Sequence, residues 1–260
     1  MSPALPVALS CGEPAGVGPE LALRAWEALR DRVPFFLIGD AGHLGQGAPH
    51  VRIADPGEAP AAMARGLPVL HRDFGPPVTP GQPQAAHAQP VIDAIAEGVA
   101  LVMAGRARAL CTAPIHKQAL AEGAGFAYPG HTEYLAALAG VRRVVMMLAA
   151  PALRVVPVTI HMALAEVTGA LTPALLEETL RITHDGLRRR FGLSAPRIAV
   201  AGLNPHAGEG GRMGREEITT LAPVLDRLRA EGFDITGPLS ADTMFHPAAR
   251  TRYDVAVCMY

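Results

Sequence analysis

The chain of 260 residues is half hydrophobic, carries 23 Lys and Arg against 24 Asp and Glu, and has a formal net charge of −1. That balance, with no block of like charge, excludes nucleic acid or a membrane surface as the main partner. No apolar run reaches bilayer-spanning length, and the first residues lack the basic-then-apolar signature of a signal peptide, so a cytoplasmic protein is expected.

In chain order, strands are predicted over Val7–Ser10, 34–38, Ala109–Thr112, 144–149, 154–160, Arg197–Ala201 and 254–260. Amphipathic helical spacing appears over 20–30, 87–104, Pro173–Phe191 and 216–231, with Thr172-Pro173 reading as an N-cap followed by proline at the first helical position. Gly192 stands where that helix should stop. The Gly-, Pro- and Ala-rich 41–62 and the Pro- and Gln-rich 73–89 read as surface loops. Strands alternating with helices predict an α/β protein with mostly parallel sheets covered on both faces. Cys11, Cys111 and Cys258 are far apart, without C-x-x-C spacing, as reduced and buried thiols would be. The last apolar run stops where open α/β sheets gather ligands, so residues beyond 260 are expected to belong to the protein.

Six segments carry candidate chemistry. Cys11–Glu20, rich in Gly and Pro after the first strand, matches neither G-x-G-x-x-G nor the P-loop; it is a ligand approach or a rigid turn with positive φ. Lys117, after Thr112-Ala113-Pro114-Ile115-His116, can pair with a phosphate or carboxylate, or be a solvated Lys opening a helix. Gly130-His131-Thr132 runs into a helix start, an anion site or a plain cap. His161 and His206 both follow strand-like runs and should lie at the carboxyl edge of a sheet. A catalytic metal takes about three protein ligands and an open position, and these two imidazoles are part of such a set. A lone His is usually structural; the Gly-rich, Asn204-Pro205-flanked setting of His206 favours the ligand reading. Glu209 is a further ligand candidate or a surface carboxylate, and Asp242 a metal, cofactor or substrate contact or the cap of a short turn.

Together the stretches EPAGVGPE, TAPIHK, GHTEYL, VVMMLA, GLNPHAGEGG followed by MGREEI, and GPLSADTMF resemble the 4-hydroxythreonine-4-phosphate dehydrogenase family of vitamin B6 biosynthesis. They occur in family order over nearly the whole chain. The resemblance implies two α/β/α lobes with a cleft between them, as in isocitrate and isopropylmalate dehydrogenases. The lobes are expected at 1–128 plus 238–260, on the cofactor side, and at 129–237, on the metal and dimer side. It further implies a homodimer whose active site takes residues from both subunits. His131 and Thr132 then correspond to substrate contacts, and His161 and His206 to two of three metal-binding histidines. The third follows a run matching Cys258-Met259-Tyr260. Asp242, Lys117 and Asn204 are candidates for cofactor contacts or for groups that orient a ligand. Glu13 stands where the family usually has Asp, and His116 where Asn is frequent.

The implied reaction is oxidation of 4-phosphooxy-L-threonine by hydride transfer to NAD or NADP, followed by loss of carbon dioxide to give 3-amino-2-oxopropyl phosphate. A divalent zinc, cobalt or magnesium ion would assist it; the sequence names no general base. A relative oxidising a cis-dihydrodiol dicarboxylate, or a truncated non-catalytic metal- or ligand-binding relative, are the alternative readings.

Overall fold

In the computed structural model, residues 5–260 are described; the N-terminal residues on which the absence of a signal peptide was partly read, 1–4, lie outside them. The chain divides into two compact units, Met1–Arg142 and Arg143–Tyr260.

The first unit is built on β1 (Val7–Ser10), β2 (Phe35–Gly39), β3 (His50–Ile53), β4 (Leu67–His71) and β5 (Ala109–Thr112), in the spatial order β3-β4-β2-β1-β5. All its neighbours pair in parallel. Every residue of β2 is buried, as a parallel strand covered on both faces requires. Its helices are α1 (Gly18–Leu29), α2 (Ala59–Ala62), α3 (Ala88–Met103), α4 (Lys117–Ala124) and α5 (His131–Leu138). The stripe Val91, Ala94, Ile95, Gly98 and Leu101 turns α3 onto the core. Gly18 opens α1 so close to β1 that a Cβ there would collide with the carbonyl oxygen of Cys11.

The second unit carries β6 (Leu148–Ala150), β7 (Leu153–Pro157), β8 (Arg197–Ala201), β9 (Asp234–Leu239) and β10 (Val255–Cys258), in the order β6-β7-β10-β8-β9. Only β6 runs antiparallel to its neighbour. Its helices are α6 (Leu164–Ala170), α7 (Pro173–Phe191), α8 (Ala222–Ala230), α9 (Ala241–Met244) and α10 (Pro247–Arg250). Thr172 caps α7, its hydroxyl accepting from the Leu175 N–H at 3.2 Å, and Gly192 ends the helix in left-handed conformation at φ 71°. Leu176, Leu180 and Leu187 form the buried stripe of α7 and meet Val224, Leu225 and Leu228 in one core.

The two mostly parallel sheets match the expected α/β class; the details differ. The division falls after Arg142, not after residue 128, and 238–260 does not return to the first unit: β10 is apolar throughout and satisfies its backbone on both edges, against β7 and β8. The predicted loop 41–62 contains β3 and α2, and β4 and β9 escaped prediction because Pro68 and Gly237-Pro238 interrupt them. Of the apolar run 144–149 only Leu148 and Ala149 lie in a strand, which continues to Ala150. Among the described residues no helix is long and apolar enough to cross a membrane.

Gly18→Ala is expected to destabilise the protein by about 1–3 kcal/mol, because backbone must move to admit the methyl. Denaturant unfolding followed by circular dichroism measures this; an unchanged midpoint would show that the α1–β1 approach is looser than described.

Candidate functional site

In the first unit, chemistry gathers where α4 and α5 begin. His116 caps α4, its Nδ1 accepting from the Ala119 N–H at 3.1 Å. That is the work an Asn does at the same place, so the His-for-Asn departure leaves the helix start intact. The exposed Lys117 begins α4, and its Nζ lies 3.7 Å from the point a Cβ on Gly130 would occupy, which brings the ammonium to the start of α5. Gly130 offers α5 no side-chain cap. His131 and Thr132 are its first residues, both half-buried, and the buried Nε2 of His131 has no hydrogen-bond partner. Burial, and secondarily the charge of Lys117, holds the His131 imidazole below its ordinary range, hence neutral at pH 7. Tyr134 fixes the helix from behind, packed against Phe126 and Tyr128 with ring centroids 5.2 and 5.1 Å apart. An ammonium, a neutral imidazole with an open nitrogen and uncapped helical N–H groups together fit an anionic group.

The glycine-rich turn after β1 is filled by its own atoms. Gly12 sits at φ 68°, the Glu13 N–H donates to Pro114 O at 2.8 Å, and the buried Glu13 carboxylate accepts from the Ala15 N–H at 3.0 Å. The rigid-turn reading describes it.

In the second unit, four strands bring their carboxyl ends to one edge. His161 follows β7, Tyr260 follows β10, His206 follows β8 and Asp242 follows β9. Pairing extends past β7: Val158 and Thr159 N–H groups donate to the Cys258 and Met259 carbonyls at 2.8 and 3.1 Å, and the buried Thr159 hydroxyl adds a bond to Met259 O at 2.7 Å. His161 takes φ 56°, unusual for a residue with a side chain. His206 Nδ1 stands 3.5 Å from an Asp242 carboxylate oxygen. Asp242 is held below the usual carboxylate range, first by the Ser240 hydroxyl and then by His206. These two residues line a cleft of about 380 Å³ with Asn204, Cys258, Met259 and Tyr260.

The loop bearing His206 is strained. His206, Ala207, Gly208, Glu209 and Gly210 all adopt left-handed conformation, with φ between 42° and 74°. Three of the five are not glycine, each at a cost of roughly 1–2 kcal/mol. Sequence reasoning missed what offsets this: the Glu217 carboxylate, 4% exposed, which accepts from the Leu203 and Asn204 N–H groups at 2.8 and 2.7 Å and from Asn204 Nδ2 at 3.0 Å. Glu216 accepts a further bond from Asn204 Nδ2 at 2.7 Å. The only signal was a Glu-Glu pair directly after a glycine-rich segment. Asn204 is thus committed to holding the loop, and Glu209 is exposed.

The structure therefore groups Lys117, His131 and Thr132 in the first unit and His206, Asp242 and Asn204 in the second, with His161 on the same sheet edge. Among the described residues no three His, Cys, Asp or Glu side chains form a set able to hold a metal ion. His206 and Asp242 stand together and are the groups there whose chemistry suits a cation, while His161 only shares their sheet edge.

Histidines and a carboxylate gathered at the carboxyl edge of a parallel sheet define an α/β enzyme of the kind whose chemistry lies at strand ends. Residues 32–260 match the family model described as pyridoxal phosphate biosynthetic protein PdxA. A 4-hydroxythreonine-4-phosphate dehydrogenase of Roseobacter denitrificans is 58% identical, over 100% of this chain and 80% of that protein. A crystal structure of a 4-hydroxythreonine-4-phosphate dehydrogenase from Klebsiella pneumoniae superposes with a TM-score of 0.90 at 35% identity, covering 99% of this chain and 82% of the other. A terephthalate 1,2-cis-dihydrodiol dehydrogenase from Burkholderia xenovorans LB400 gives 0.69 at 27% identity, covering 99% and 79%. The chain belongs to the PdxA family, with its isocitrate dehydrogenase-like fold, and is an oxidoreductase of pyridoxal phosphate biosynthesis.

Because folding lowers the affinity of His131 for a proton, the unfolded chain is protonated first as pH falls. The contribution of this residue to stability is complete above about pH 6.5 and is lost on acidification. His131→Gln is expected to flatten the acid limb of the stability profile between about pH 7 and 5. Thermal unfolding across that range measures it; an unchanged slope would mean that the imidazole is solvated.

Proposed function

We propose that the chain oxidises 4-phosphooxy-L-threonine with NAD or NADP and a divalent cation, and that decarboxylation follows to give 3-amino-2-oxopropyl phosphate. The carrying observation is that one chain holds both an anion-fitting set at the start of α5 and a histidine pair at a sheet's carboxyl edge. The high identity to a relative named for the phosphorylated hydroxy-threonine supports this substrate over others.

In this reading Lys117, the neutral His131, the Thr132 hydroxyl and the N–H groups opening α5 bind the anionic end of the substrate and fix its orientation. His161 and His206 would hold the cation, with Asp242 orienting the His206 ring through Nδ1. When bound, a divalent cation would supply polarisation of the substrate alcohol, and a nicotinamide would supply the hydride acceptor. Imidazole ligation favours zinc or cobalt, whereas magnesium would need more oxygen donors than Asp242 alone supplies. A cytoplasmic homodimer completes the reading; the homodimer rests on the family resemblance, and the compartment on the composition and N-terminal sequence.

The test is a product assay with NAD or NADP and added Zn²⁺ or Co²⁺, offering either 4-phosphooxy-L-threonine or a cis-dihydrodiol dicarboxylate. Reduced nicotinamide and 3-amino-2-oxopropyl phosphate from the first substrate are expected, with His131→Ala lowering kcat/KM about tenfold to a hundredfold through loss of a bond to a charged group. Turnover of the dihydrodiol alone would transfer the assignment to the activity named for the Burkholderia xenovorans protein.

A further inference from the structure

We infer that Glu217 is the positioning residue of the His206 loop, and that its carboxylate sets the affinity of the second-unit site for a divalent cation. The inference rests on the reading of His206 as a metal ligand given above.

The loop's own backbone bonds are few and local. Ala207 N–H donates to Asn204 O at 3.1 Å, and Met213 N–H to Gly208 O at 3.1 Å. Neither ties the left-handed turn to a neighbouring element. Glu217 does, because it begins the π-helical turn Glu217–Leu221 that leads into α8. Such a turn inserts an extra residue into a helix and is frequent where a side chain must be re-aimed for function. Oε1 takes both the Leu203 and Asn204 N–H groups, just ahead of the turn, while Oε2 takes Asn204 Nδ2.

The carboxylate also fits a cradle made by small residues. A Cβ on Gly202 would stand 3.0 Å from Oε1 and 2.8 Å from the Ala207 Cα; one on Gly208 would stand 2.7 Å from Oε2. With side chains excluded on both sides, the carboxylate is wedged between the end of β8 and the strained turn. Glu217 touches neither His206 nor Asp242 in any recorded bond, so it acts on the imidazole through the backbone that carries it.

Glu217→Gln tests this with little change of volume. The amide keeps an oxygen for the Leu203 and Asn204 N–H groups but sets its NH₂ against Asn204 Nδ2, two donors face to face. Co²⁺ alone is titrated into the purified protein, and affinity and the visible absorption of bound Co²⁺ are read. Groups that orient metal ligands typically change affinity 10–100-fold when altered. We expect a loss of that size and an altered Co²⁺ spectrum, with Glu177→Gln as control. That variant breaks the Arg181 ion pair within α7 and the Arg227 ion pair between α8 and α7, costing stability, and should leave both readouts unchanged. Should Glu217→Gln fail to fold, Asn204→Ser removes the side-chain bond to Glu217 Oε2, together with that to Glu216, and is expected to lower Co²⁺ affinity in the same direction.

A folded Glu217→Gln protein with wild-type affinity and spectrum, while His206→Ala loses Co²⁺, would overturn the positioning role and leave the metal reading standing. Wild-type protein that takes up no Co²⁺, or His206→Ala protein that binds it normally, would overturn the metal reading and this inference with it.

Discussion

A parallel strand buried on both faces must satisfy its backbone on both edges, and β10 does so between β7 and β8. The consequence reaches well beyond packing. Parallel pairing sends the carboxyl ends of β7, β10, β8 and β9 to one edge of the sheet, so His161, Tyr260, His206 and Asp242, spread over a hundred residues of sequence, come to share it. The Thr159 hydroxyl extends the pairing one step past the strand proper and fixes the backbone from which His161 departs. Helices α7 and α8 then need only cover one face with leucine and valine, which their stripes provide.

The two units handle polar atoms differently. At the start of α5 polar groups are left open: a helix without a side-chain cap and an imidazole nitrogen without a hydrogen-bond partner. Leading into the His206 loop, the Leu203 and Asn204 N–H groups and the Asn204 side-chain amide are all answered, by Glu217 and Glu216. Open groups suit a ligand that arrives with its own acceptors. A closed network suits a ligand-bearing side chain that has to wait in one orientation, at the expense of strained backbone.

Much of this was legible in the sequence, and for identifiable reasons. Thr172-Pro173 and Gly192 marked the ends of α7 because caps depend on local chemistry alone. The placement of His161 and His206 at a sheet edge followed from strand-like runs ending just before them. What stayed hidden depended on distant contacts. β9 contains Gly237-Pro238, residues that interrupt a strand pattern, yet it pairs with β8 through a register shift. The assignment of 238–260 to the first unit failed because an apolar strand does not announce which sheet it will join. Glu217 could be read as the start of a helix, but its role needed the left-handed turn to be seen, and no local rule predicts five such residues in succession, three of them bearing side chains.

The most direct test of the account is anomalous X-ray scattering at the cobalt edge from crystals of the protein soaked in Co²⁺. The account predicts a peak at the carboxyl edge of the second sheet, within coordinating distance of His161 and His206. A peak elsewhere, for instance beside His43 and His87, whose rings lie 5.2 Å apart in the first unit, or none at all, would contradict it.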